Sequence, residues 1–236
     1  MRNIICIVIL SFTFSYIYAQ SATEDYLNRG IKKHDRGNYQ GAINDYSKEI
    51  ALNPKNEEAY FYRGNAKFDM EDFAGAVKDY TELILINSSY IYAYYNRGNA
   101  YYEMEKYQKA IIDFTKTIEL EPENFDSYFN RANTYFKLGN YNKALEDFNK
   151  GIELKPDHAD GFYDRGNTYF FLSNYENAII DFTKAIEIEG EVFDYYFNRA
   201  LAKFYLEMDN EACNDLQKAS DLGDNQAEAY FKELCH

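Results

Sequence analysis

Positive charge is scarce in this chain. Lysine and arginine number 25 against 39 aspartates and glutamates, a net charge of −14 over 236 residues. That balance argues against a nucleic-acid partner, because affinity for a polyphosphate comes from neutralising it. No basic face or lysine cluster offsets the deficit. An anionic membrane surface is disfavoured on the same ground. Proline occurs three times, and no glycine-, serine- or proline-rich stretch interrupts the chain, which argues for one domain without a linker. The three histidines, His34, His158 and His236, stand apart from any nucleophile or ligand motif. A glycine-rich phosphate loop, zinc spacing and a helical HExxH are all missing. Asp160 and Asp164 neighbour one another on a helix, but nothing in the sequence sets their acidities apart as acid–base catalysis requires. No enzyme activity, cofactor or metal site is expected.

What the chain does have is a period. Arg29, Arg63, Arg97, Arg131, Arg165 and Arg199 are spaced by 34 residues, and so are Asp45, Asp79, Asp113, Asp147, Asp181 and Asp215. The alanines Ala42, Ala76, Ala110, Ala144, Ala178 and Ala212 keep the same interval. A fixed period of this length marks stacked units, each too small to bury a core alone.

In the stretch 91–124, Tyr94, Gly98, Tyr101 and Tyr102 make one apolar stripe at helical spacing. A polar break at Glu105 and Lys106 follows. Tyr107, Ala110, Ile111, Phe114 and Ile118 make a second stripe, which Pro122 ends. The unit is helix, tight turn, helix, tight turn. Small residues (Gly64, Gly98, Ala132, Gly166, Ala200) let the two helices approach, and Tyr80, Phe114, Phe148 and Phe182 fill the space beside them. The arginine and aspartate series recur in every unit, as a structural pair would. Arg97 could meet Asp113 within its unit, or Asp113 could meet Arg131 of the next.

Tyr128, Ala132, Tyr135, Gly139, Tyr141, Ala144, Phe148 and Pro156 carry a resemblance to the tetratricopeptide repeat family. The resemblance covers about 23–226. Arginine stands where leucine is usual, and Ser88, Gly190 and Asp224 replace the closing proline. It implies an all-α solenoid, a right-handed superhelix of six helix-turn-helix units (23–56, 57–90, 91–124, 125–158, 159–192, 193–226) with a C-terminal capping helix over 227–236. First helices would line a concave groove and second helices the convex side. The stretch from Glu211 to Cys235 is similar to the ending of many secreted bacterial members.

Residues 1–19 read as a secretory signal. Met1, Arg2 and Asn3 lead into an apolar run from Ile4 to Tyr18, and Ala19 is a plausible cleavage point. The run is shorter than the roughly 20 residues that span a bilayer. The alternative is an uncleaved anchor, the only membrane contact expected. Cleavage would leave Cys213 and Cys235 as the remaining cysteines. A hairpin pivoting near Asp224 sets them opposite one another, so an exported chain, periplasmic or secreted, could bond them. The open alternative is two free thiols. Asn225 to Leu234 read as a closing helix with Ala227, Tyr230, Phe231 and Leu234 turned inward.

The resemblance also places the groove residues. One asparagine series is Asn65, Asn99, Asn133 and Asn167; a second is Asn28, Asn96, Asn130 and Asn198, broken by Tyr62 and Asp164. Each amide carries donors and an acceptor that suit an extended main chain, or that could equally bond neighbouring helices. Tyr95 and Tyr163 are the aromatics best placed to touch a ligand. Glu24, Glu58, Asp126, Asp160, Asp164 and Asp194 give the wall one sign, against Lys137. His158 is expected as a solvated loop residue. The carboxylate clamp of chaperone-binding members is not expected, since Leu27 and Ile31 occupy its first lysine and asparagine places. The expected function is a non-enzymatic scaffold holding an extended, basic or neutral peptide. A structural envelope component working through its convex face or ends is the alternative, and a glycan-binding module a third.

Overall fold

The computed structural model describes residues 26–235. The N-terminal signal reading, Glu24 and His236 lie outside them. Every regular element among the described residues is a helix. The chain divides into two compact units, one ending at Leu120 and the other beginning at Glu121. The first holds residues 26–34 (α1), α2 (Tyr39–Leu52), α3 (Glu57–Asp69), α4 (Phe73–Ile86), α5 (Ile91–Glu103) and α6 (Tyr107–Leu120). The second holds α7 (Phe125–Lys137), α8 (Tyr141–Leu154), α9 (Ala159–Phe171), α10 (Tyr175–Ile188), α11 (Phe193–Phe204), α12 (Asp209–Asp221) and α13 (Asn225–Leu234). Within each unit successive helices pack as antiparallel neighbours.

The tight turn after each odd-numbered helix from α1 to α11 has one construction. In the α5–α6 turn the Glu105 N–H reaches the Tyr102 carbonyl and the Lys106 N–H reaches back to Tyr101, both at 2.8 Å. This pair of bonds satisfies carbonyls that a helix end leaves open, and it needs one residue in the left-handed region. Gly37 and Gly139 fill that place at φ 72°, whereas Glu71, Glu105, Ser173 and Glu207 adopt it at 56–61° without being glycine. The residue after it can also open the next helix. Asn38 and Asp72 do so, each accepting the backbone N–H three residues on (Gly41, Gly75).

The core of five hairpins is an aromatic ring lying on a small residue, and Leu216 takes the ring's place in the α11–α12 hairpin. Tyr46, Tyr80, Phe114, Phe148 and Phe182 are fully buried beside alanines that are equally inaccessible. A Cβ added to Gly64 would stand 2.5 Å from the Tyr80 ring, so the ring occupies the space that glycine frees. Around this core runs the arginine–aspartate series, and the within-unit alternative is the one realised. Arg97 donates from Nε and Nη2 to the two carboxylate oxygens of Asp113, each at 2.8 Å. Its remaining Nη1 reaches Thr81 Oγ1 on the preceding pair at 3.0 Å. Arg63 and Arg199 repeat the pattern with Asp79 and Ser47, and with Asp215 and Thr183. One guanidinium thus ties its own hairpin to its neighbour.

Candidate functional site

The first helices of each pair form a wall in each unit. In the first unit α3 and α5 are neighbours, and in the second α7, α9 and α11. The two asparagine series meet on these walls. Asn65 Oδ1 on α3 accepts from Asn96 Nδ2 on α5 at 2.9 Å, and also from the Tyr80 hydroxyl at 2.7 Å. Asn167 Oδ1 on α9 accepts from Asn198 Nδ2 on α11 at 2.9 Å. Asn133 Nδ2 on α7 donates to Asp164 Oδ2 on α9 at 2.9 Å. A member of one series therefore bonds the member of the other that lies 31 residues on. These amides cross-link the wall. Asn99 and Asn130 are half-buried, line the wall and are engaged in interactions of their own.

The departures in the second series now have a reason. Tyr62 lies 31 residues after Ile31, and both pack on the Tyr46 cluster, so an apolar rung replaces the amide rung there. Asp164 is the acceptor half of a rung whose donor is Asn133. Enclosure raises the Asp164 carboxyl from the ordinary value of 3.8 to about 6, partly offset by the Asn133 bond; the Asp160 charge adds to the rise. Desolvation also raises Asp126, although its side chain stays exposed. Asp160 is exposed, and its Oδ1 accepts from the buried Tyr195 hydroxyl at 2.8 Å. Tyr163 is half-buried. Its ring contacts Phe182 and Tyr195, and its hydroxyl accepts from Asn198 at 2.8 Å. Tyr95 is half-buried against Phe114.

Two cavities open on these walls. In the first unit His34, Asn65, Phe68, Asp69, Tyr80, Asn96 and Asn99 line about 240 Å³, with His34 Nε2 2.8 Å from Asp69 Oδ2. In the second, about 350 Å³ is bounded by Asp126, Asn130, Asn133, Asp160, Tyr163 and Asp164 over Phe129 and His158. The structure thus gathers Asp126, Asp160, Asp164, Asn130, Asn133 and Tyr163 at one cavity, and Asn65, Asn96 and Asn99 at the other.

His158 differs from the sequence expectation. It caps α9, Nδ1 accepting the Gly161 N–H at 2.9 Å, and its ring stacks on Phe129 at 4.6 Å. The expectation of a solvated loop residue rested on its place in the turn between units, and that turn residue is the helix cap. Its place just before the first-helix start, where Asn56 and Asn124 also cap, was the available signal. On α13 the inward side is narrower than expected: Ala227 and Phe231 pack inward, while Tyr230 and Leu234 stay exposed. Cys213 and Cys235 are joined by a disulfide, with their Cα atoms 5.7 Å apart. Among the described residues no three histidine, cysteine or carboxylate side chains are placed to hold a metal ion. No described helix is long and apolar enough to cross a membrane.

No curated protein matches the sequence at a significant level. Among solved structures, MamA is 27% identical over 69% of this chain and 95% of its own, with a TM-score of 0.66. YrrB, described as a TPR protein with an unusual peptide-binding site, is 24% identical over 80% of this chain and 98% of its own, at 0.68. PilF of Pseudomonas aeruginosa shares the fold at 16% identity, covering 91% of this chain and 99% of its own, at 0.74. The tetratricopeptide repeat family model matches 91–124, 125–158 and 159–191, and a second TPR repeat model matches 32–71 and 64–105. With most of its length matched by these models and its helices paired as described, the chain belongs to the tetratricopeptide repeat family.

Proposed function

We propose that the first-helix walls hold an extended peptide segment of basic or neutral character, and that the protein is a non-catalytic interaction scaffold. Its family supports a protein-interaction role in general. The observation that carries the finer reading is the pairing of cavity and charge. Each wall opens a cavity flanked by amides, while Glu58 and Glu103 in the first unit and Asp126, Asp160 and Asp194 in the second are exposed there. A wall of one sign raises the local concentration of cationic ligands. The amides add sequence-independent bonding to a main chain. The test is binding of Lys/Arg-rich against Asp/Glu-rich peptides at low and high salt. Preference for the basic set, weakened by salt, is expected; equal binding at both salts removes the electrostatic part.

Assembly through the outer surface is a second reading. Leu85 and Ile112 in the first unit and Ile180 in the second are more than 60% exposed on even-numbered helices. Charged replacements at these positions would break an assembly and leave peptide binding intact. We also place the mature chain in an oxidising compartment, after cleavage following Ala19. The Cys213–Cys235 bond supports this, since disulfides persist where thiols are not kept reduced. Mass measurement on the exported fraction, with a start at Gln20 and no free thiol, is the expected result.

A further inference from the structure

The cavity of the second unit owes its existence to two glycines. The Phe129 ring sinks between Gly151 and Gly161, where an added Cβ would stand 2.8 Å or 2.5 Å from it. The place of Gly151 is taken elsewhere in the period by Glu49, Leu83, Thr117, Ala185 and Ala219. His158 then lies on Phe129, pinned through its Nδ1 to the Gly161 N–H. That bond leaves the proton of the neutral ring on Nε2. A flat aromatic floor results, with Tyr163 at its side and Asp126, Asp160 and Asp164 around it.

Carboxylates on a surface are by themselves a solvated face. Here one of them, Asp164, is half-buried, and it is partnered differently from the aspartates of the periodic series. Asp45, Asp79, Asp113, Asp147, Asp181 and Asp215 are all buried, and each receives the fork of an arginine. Asp164 is bonded to an amide, and the cavity it lines contains no lysine or arginine. Lys137 and His158 offset only part of what burial costs the Asp164 charge, so the cavity still favours a further cation.

We infer that this cavity receives the guanidinium of an arginine side chain from the bound peptide. The claim rests on the peptide-binding reading and adds the residue that is recognised. A guanidinium fits better than an ammonium. It is planar, it stacks on aromatic faces, and its fork of donors can serve carboxylates on more than one side. A metal ion fits worse, since no three ligating side chains converge among the described residues.

The test uses the full chain and two peptides that differ at one position, a single arginine or its neutral isostere citrulline in an otherwise uncharged glycine-, serine- and alanine-containing sequence. Fluorescence anisotropy should show the arginine peptide binding roughly tenfold tighter or better, the range expected for losing a charged hydrogen bond. An Asp126→Asn/Asp160→Asn variant should lose that discrimination, with melting measured to show the fold is kept. Both side chains are exposed, and asparagine at 160 can still accept from Tyr195. A control that removes two exposed charges from α8, Glu146→Gln/Glu153→Gln, should keep the discrimination. Equal binding of the two peptides by the unmodified chain overturns the arginine site while leaving the peptide reading standing. Discrimination that persists in the Asp126/Asp160 variant places recognition elsewhere and also overturns it. Failure of both peptides to bind removes the peptide reading and the site together.

Discussion

Two tyrosines 34 residues apart show how one side chain's worth depends on its neighbour. Tyr80 gives its hydroxyl proton to Asn65. Tyr46 occupies the same place one unit earlier, where Ile31 stands instead of the asparagine, and its hydroxyl is buried with no hydrogen-bond partner among the described residues. Burial pushes the Tyr46 phenol well above its ordinary value. Tyr46→Phe should therefore leave stability unchanged or raise it, while Tyr80→Phe should lower it by about 1 kcal/mol. Thermal melts should show a lowered midpoint for Tyr80→Phe and no lowering for Tyr46→Phe. Asp164 offers a second case. Its folded carboxyl near 6 lies above the ordinary 3.8, so between those values the native chain binds more protons than the unfolded one. Stability from this group accordingly falls as pH rises from about 4 to 6. Asp164→Asn should stabilise the fold by about 1–2 kcal/mol at pH 7.5 and by nothing near pH 4. Melting curves across that range check it, and a gain independent of pH would contradict the assignment.

At the scale of the element, the arginine fork decides how one hairpin registers on the next. Arg97 is mostly shielded and Asp113 almost wholly so. Desolvation raises the Asp113 carboxyl, and the Arg97 bond and charge only partly offset that rise. Arg97→Leu restores the residue usual in the family, yet it leaves that carboxylate without a counter-ion and Thr81 without a donor. A loss of about 3 kcal/mol is expected, because breaking a buried pair from one side costs more than the pair contributes. Arg97→Leu combined with Asp113→Leu should recover part of it, and urea unfolding of the two variants measures the difference. The period made these elements legible: arginine, aspartate and alanine at one interval locate both helices of a hairpin. The choice between Arg97 and Arg131 as the partner of Asp113 needed the structure, since either lies within reach in a linear count. The amide rungs were legible only in part: bonding to neighbouring helices was open for each asparagine, but a linear count does not pair one series with the other. Their joint failure at Ile31 and Tyr62 was the sign that they face each other. The cavity was hidden for a different reason. It depends on Gly151 and Gly161 together, one on α8 and one on α9, and a missing side chain leaves no pattern of its own.

For the whole molecule, stability is distributed in local packets. The first unit is built on clusters around Tyr46 and Tyr80, and the second on clusters around Phe148, Tyr195, Phe182 and Leu216. In a stacked-repeat chain each element is held by its immediate neighbours, so a perturbation at one place should act locally. The disulfide gives the sharpest probe. It closes a loop of 22 residues between α12 and the end of α13, for which chain-entropy reasoning gives a stabilisation of about 3 kcal/mol. The helix it holds is otherwise lightly anchored: Ala227 is its one fully buried residue, Phe231 and Cys235 pack beside it, and the Tyr230 ring meets Phe197 edge-on. Reduction, or Cys213→Ser with Cys235→Ser, should release α13 and expose the Leu216–Ala219 face of α12. Hydrogen exchange read peptide by peptide should then rise steeply over 209–235. Protection over 39–120 should stay unchanged, since nothing in the clusters of the first unit includes a residue of that hairpin. Uniform acceleration over both units would mean that the chain unfolds as one cooperative body, and the local account of its stability would have to be abandoned.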